Sequence, residues 1–191
     1  DHRDLHSFPT RRSSDLSDDR AKKEIAFNQA VCYEYLGQYE KALELEPADA
    51  ELYTTLGDVQ ERLGEVQEAL QSYQKAIQID PNYARAYNNR GVLYAHQGEY
   101  QKALIQQRRA VKLAPNSAIY HANVGDDFNH LERYSEAVTS CNKAIKLDPG
   151  YAKAYSIRAD AYEGLEQTEK AERDRETYRK LTEKQEDTPQ A

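Results

Sequence analysis

A spacing of thirty-four residues constrains this chain more than any other feature. Ala50, Ala84, Ala118 and Ala152 share it, as do Gly57, Gly91 and Gly125. So do Ala69, Ala103, Ala137 and Ala171; Ala76, Ala110 and Ala144; and Pro47, Pro81, Pro115 and Pro149. A period of this length means that each unit is one supersecondary element burying its apolar face against its neighbours. Within residues 50–83, Tyr53, Leu56 and Leu63 form one stripe at helical spacing, and Val66, Ala69, Leu70, Tyr73, Ala76 and Ile77 form another. The spacing predicts two amphipathic helices per unit. Gly57 and Ala69 are small where the two must cross, and Gly64 punctuates the turn between them. Asp80 and Pro81 then stop the second helix, because proline lacks the amide that continuation needs and restricts the residue before it.

Large residues at positions 4 and 11, small ones at 8, 20 and 27 and proline at 32 resemble the tetratricopeptide repeat. The resemblance implies an all-α solenoid of helical hairpins wound into a right-handed superhelix. Units 50–83, 84–117 and 118–151 follow the pattern, with local departures at Arg90 (position 7), Gln107 and Cys141 (24) and His121 (4). Residues 152–185 keep Tyr155, Ala159, Tyr162 and Ala171 but carry Arg175 at position 24 and no following proline. They are expected to be a degenerate capping repeat whose second helix runs from about Thr168 to Lys184, with 186–191 a frayed tail. Residues 17–49 read as a truncated first repeat: Tyr33, Leu36, Gly37, Tyr39 and Ala42 fit positions 11, 14, 15, 17 and 20 counted from Lys23, yet Pro47 arrives seven residues early. Natural deletion and an assembly error both account for that shortening. Residues 1–16, DHRDLHSFPTRRSSDL, match a translated sequencing-library adapter at every position. They are expected to be a disordered artefact that makes no packed contact with the array, the natural N-terminus being missing.

Charge narrows the partners. The formal net charge is −7, and the adapter-like segment, with three acidic and three basic residues, does not alter it. No run of Lys and Arg forms the footprint that phosphate contacts need, so nucleic acid is not an expected partner. No stretch approaches the ~20 apolar residues of a membrane helix, so no membrane span is expected in this fragment. Cys32 and Cys141 lie in distant repeats and form no C-x-x-C pair, so free thiols are expected, as suits a reducing compartment. No nucleophile, base and orienter recur at recognisable spacing, and no phosphate-binding or metal-binding motif is present. His96 and His130, both at position 13, are read as polar surface residues, and His121 as a replacement for a core aromatic. An enzyme is not expected in this segment, nor a cofactor or metal.

In the family that the chain resembles, the concave face is lined chiefly by positions 2, 5, 6, 9, 12 and 13 of each first helix. Carried over, these positions imply a peptide-binding groove built from Asn28, Asp58, Glu61, Arg85, Asn88, Asn89, Asn123, Asp126, Asn129, Lys153 and Asp160. Asn28, Asn89 and Asn123 share position 6, where stacked amides can both donate to and accept from a peptide backbone. They partly resemble the asparagine ladder of a glycosyltransferase's helical arm, interrupted here by Thr55 and Ile157. The carboxylate clamp of chaperone-binding repeats is disfavoured: Asn123 and Lys153 match it, whereas Asn88, Val92 and Ile157 do not. The excess of Asp and Glu points to a basic or neutral partner protein or peptide. A merely solvated polar face accounts for these charges equally well. The expected function is a scaffold holding an extended segment in the groove. The alternative is a regulatory or substrate-recruiting arm of a larger enzyme, such as a glycosyltransferase or protease.

Overall fold

The computed structural model describes residues 49–186. The adapter-like segment, the truncated first repeat with Asn28 and Cys32, and residues 187–191 lie outside the described residues. Eight helices follow one another: α1 (Ala50–Arg62), α2 (Val66–Ile79), α3 (Ala84–His96), α4 (Tyr100–Leu113), α5 (Ala118–His130), α6 (Tyr134–Leu147), α7 (Ala152–Gly164) and α8 (Thr168–Glu186). Among the described residues there is no strand.

Local chemistry sets the ends of these helices. Asp49 caps α1 by accepting from the amides of Glu51 at 2.7 Å and Leu52 at 3.1 Å, and Ser117 caps α5 by accepting from Tyr120 at 3.3 Å. Before α3 and α7 the aspartate instead folds the linker, Asp80 accepting from Asn82 at 2.8 Å and Asp148 from Gly150 at 2.9 Å. Each hairpin turn needs one left-handed residue. Gly64 and Gly98 take it at φ 80 and 76, but Glu132 and Glu166 take it at φ 58. Glycine is therefore preferred rather than required at this position, and the two glutamates bear a backbone cost of about 1 kcal/mol or more.

Consecutive helices pair as hairpins, and the first helices also touch one another from hairpin to hairpin, α1 with α3, α3 with α5 and α5 with α7. The first helices thus form the inner layer of the array, with α2, α4, α6 and α8 outside it. Within the first three hairpins the crossing is set by one pair of positions. A Cβ at Gly57 would lie 2.5 Å from the Tyr73 ring, at Gly91 2.6 Å from Gln107 Cγ, and at Gly125 2.6 Å from Cys141 Sγ. Position 8 is glycine there because position 24 of the same hairpin fills the space.

The departures from the repeat pattern have specific partners. Arg90 donates to Gln74 and, at 2.6 Å, to Gln106, which lie sixteen residues before and after it. Arg158 repeats the arrangement, donating to Asn142 at 2.6 Å and to both oxygens of buried Asp174 at 2.7 Å. An arginine at position 7 thus ties its own second helix to the preceding one, in place of the usual apolar contact. His121 is buried, and its Nε2 lies 2.9 Å from the carbonyl of Pro115. Leu104, Val124, Phe128, Ala137 and Ala161 form a core cluster that runs across the last three hairpins. The last helix extends to Glu186, two residues beyond the expected end.

At Gly91 the added Cβ would also lie 3.2 Å from the Ala103 carbonyl. Gly91→Leu is expected to destabilise by roughly 1–3 kcal/mol, and Glu99→Gln on the neighbouring turn to be near neutral. Thermal melts of the two variants decide it: equal melting temperatures contradict this helix register.

Candidate functional site

The inner face is organised by Asp58 on α1. Its Oδ1 accepts from the Tyr73 hydroxyl at 2.8 Å and from Asn89 Nδ2 at 2.7 Å, and its Oδ2 pairs with Arg85 at 2.7 Å. Glu61, one turn on, accepts from the Tyr73 hydroxyl at 3.1 Å and faces His96 Nδ1 at 3.1 Å. Burial, then the two carboxylates, hold the Tyr73 phenol far above its ordinary range, so it stays a donor. The amides continue the network: Asn123 donates to Asn88 at 2.9 Å, and Asn88 donates to Asn89 at 3.1 Å. Asn88 and Asn123 are both buried. One hydrogen-bonded chain therefore runs from α5 through α3 to α1.

Further along, Asp126 lies 3.9 Å from His130 and 4.0 Å from Lys153, while Asp160 lies 3.7 Å from Arg175. Asn129 is turned aside from the groove, donating to the Ile157 carbonyl at 2.7 Å. The His130 ring stacks on Tyr100 at a centroid distance of 4.2 Å, joining α5 to α4. Two clefts open on this inner face. One, of about 530 Å³, is lined by Asp58, Glu61, Arg62, Asn89, Val92 and His96. The other, of about 310 Å³, shares Val92 and His96 and continues past Asn123, Asp126, His130 and Lys153. Of the predicted residues, Asp58, Glu61, Asn89, Asn123, Asp126 and Lys153 thus line two adjoining clefts. Arg85 and Asn88 sit behind them as partners, and Asp160 lies beyond them. Among the described residues no group of three or more His, Cys, Asp or Glu is placed to hold a metal, and no helix is long and apolar enough to cross a membrane.

Four sequence models described as TPR or tetratricopeptide repeats match residues 39–71, 62–98, 84–117 and 121–151. The chain belongs to the tetratricopeptide repeat family. No curated protein matches it. Solved structures similar to this TPR array include a crystal structure of MamA at 24% identity and TM-score 0.70, covering 94% of this chain and 99% of that one. Another is residues 41 to the end of MamA from Desulfovibrio magneticus RS-1, at 22% identity and TM-score 0.72, covering 87% and 98%. At this identity the likeness concerns the fold, a TPR solenoid.

Two residues of the second cleft were missed in the sequence. Asp127 and Gln107 are each 1% exposed, and Asp127 Oδ2 and Gln107 Oε1 have no hydrogen-bond partner among the described residues. Asp127 stands at position 10 of its TPR unit, where the others have Val59, Leu93 and Ala161. That polar exception in an apolar column was the available signal. Burial first, and the neighbouring Asp126 second, push the Asp127 carboxyl up to about 8, with Lys153 opposing.

An acid whose folded pKa is raised contributes stability that is complete below its unfolded value and is lost as pH rises through the folded one. Here the window runs from the ordinary value of 3.8 to about 8. His121, pushed down mainly by burial, acts in the opposite sense, so the comparison must be with a variant. Urea unfolding at pH 5 and pH 8 is expected to show the wild type losing more stability across this interval than Asp127→Asn. An equal loss contradicts the assignment.

Proposed function

We propose that this TPR array is a protein-interaction scaffold that holds an extended, basic or neutral segment of a partner along its inner face. The observation that carries the proposal is the pair of adjoining clefts on the first-helix face, which share Val92 and His96. A trough spanning two repeats suits a chain in extended form, for which alternate residues meet successive units. Its walls offer both amide and carboxylate groups, Asn89 and Asn123 alongside Asp58, Glu61 and Asp126. Amides serve a backbone of any sequence, while the carboxylates favour a basic approach. Binding rather than catalysis is the role proposed for this surface. Family membership supports the scaffold reading, since stacked hairpins create extended concave surfaces.

The test uses dodecamer peptides selected from a random library on the full chain. Asn89→Ala is expected to weaken the selected peptides about five- to hundredfold, the range for removing one partner of a buried hydrogen bond. Asp126→Lys is expected to slow association of basic peptides, with the penalty shrinking as salt rises. Lys75→Ala and Lys143→Ala on the outer helices are expected to leave affinity unchanged. Titration calorimetry and stopped-flow measurements read these effects. Loss of binding in the outer-helix variants, with Asn89→Ala neutral, would refute the inner-face proposal.

A further inference from the structure

Beneath the larger cleft, which opens between α1 and α3, the contact between the first two described hairpins contains an apolar cluster. Leu93, at position 10 of its unit, packs with Ala69 and with Tyr73, which occupies position 24. The Tyr73 ring is fully buried there, and its hydroxyl donates to Asp58 and Glu61. One repeat later both positions are polar: Asp127 stands where Leu93 stood, and Gln107 where Tyr73 stood. Gln107 is smaller than a tyrosine and reaches no carboxylate. Asp127 and Gln107 line the cleft of about 310 Å³, which has Val92, Ala95 and Tyr100 as its apolar lining.

Both side chains line that cleft while each keeps one buried oxygen without a partner. A buried carboxyl and a buried amide carbonyl without donors are costly, and once the carboxyl is ionised its oxygens and the carbonyl oxygen can only accept. Asp126 adds a third acceptor, and a second carboxylate, at the rim. No donor of the cleft reaches Asp127 Oδ2 or Gln107 Oε1. The charged and titratable groups around Asp127 are Asp126 and His130 on α5, His96 on α3, Tyr100 on α4 and Lys153 on α7. Lys153 is the only fixed cation among these cleft residues. It is 54% exposed in its side chain and reaches Asp126 only at 4.0 Å, so Asp127 is left to other donors.

We propose that the cleft between α3, α4 and α5 is a pocket for one arginine side chain of the segment held in the groove, with Asp127, Gln107 and Asp126 accepting from its guanidinium. The inference rests on the groove reading above and specifies its ligand. Five N–H donors in a planar fork satisfy several acceptors at once. The three-carbon stem lies against Val92 and Ala95, beside the stacked Tyr100 and His130 rings. Without a guest, a proton on Asp127 relieves part of the cost, in keeping with a carboxyl pushed up to about 8. The guest cation displaces that proton to solvent, so affinity rises with pH until Asp127 is ionised in the empty protein.

The probe is Nα-acetyl-arginine N-methylamide, titrated into the full chain while the Asp127 carboxyl is followed by carbon NMR. The expected result is a saturable change at Asp127 and an apparent pKa drawn from about 8 toward the ordinary value of 3.8. The capped citrulline isostere, uncharged, is expected to leave Asp127 unmoved. Lys153→Ala is expected to tighten arginine binding by removing a competing cation, and Asp127→Asn to weaken it at least tenfold. If Asp127→Asn fails to fold, the wild-type carboxyl titration alone decides. An unmoved Asp127 resonance, an equal response to citrulline, or weaker arginine binding in Lys153→Ala would overturn the pocket. If the selected dodecamers still depend on Asn89 in that event, the groove reading stands and only the arginine pocket falls. If they do not, both fall.

Discussion

The structure depends on the close crossing of the two helices within each hairpin. In the first three described hairpins a glycine at position 8 stands against the side chain at position 24, and an added Cβ would come within 2.5 or 2.6 Å of it. This approach leaves no room for adjustment, because a packed interior yields little to an extra methylene. The residue at position 24 then lies at the contact between one hairpin and the next. Tyr73 packs with Leu93 and Ala69 there, whereas Gln107 lines the second cleft. At Arg175, in the end repeat, position 8 is Ala159 and the side chain turns to Glu163 and Asp160. A single column thereby varies the inner surface while the backbone stack stays regular.

Polar bonds between repeats then fix how the hairpins sit on one another. Arg85 and Asn89 on α3 reach back to Asp58 on α1, and Asn123 on α5 reaches back to Asn88 on α3. The arginines at position 7 do the same between outer helices. Many of these bonds are buried or half-buried, so breaking one leaves a partner unsatisfied and costs more than an exposed ion pair would. The inner face is accordingly a preorganised surface rather than a set of independent side chains. Much of its hydrogen-bonding capacity is already spent within the array. Of the buried polar atoms left without a partner, Asp127 Oδ2 and Gln107 Oε1 belong to residues that line the second cleft.

The hairpins were legible in the sequence because the period of thirty-four repeats the packing contacts themselves: Ala69, Ala103 and Ala137 are each fully buried. The groove was legible as a face but not as a set of bonds. Asn88, Asn89 and Asn123 read as three amides free for a ligand, whereas they are linked to one another and to Asp58. Which side chains meet across repeats depends on the pitch of the stack, and a repeat period carries no information about that pitch. Arg90 and Arg158 read as isolated departures, although partners sixteen residues to either side were present in both cases. Asp127 was overlooked because position 10 was not among the columns compared, and a buried unpaired acid is visible only once its surroundings are known.

The central claim is that partner segments bind on the first-helix face. It is tested most directly by placing a photo-crosslinking benzoylphenylalanine at His96, which lines both clefts, and separately at Ile105, which is 66% exposed on α4. Irradiation with a selected dodecamer is predicted to give a crosslink from position 96 and none from position 105. A crosslink from position 105 with none from position 96 would contradict the account.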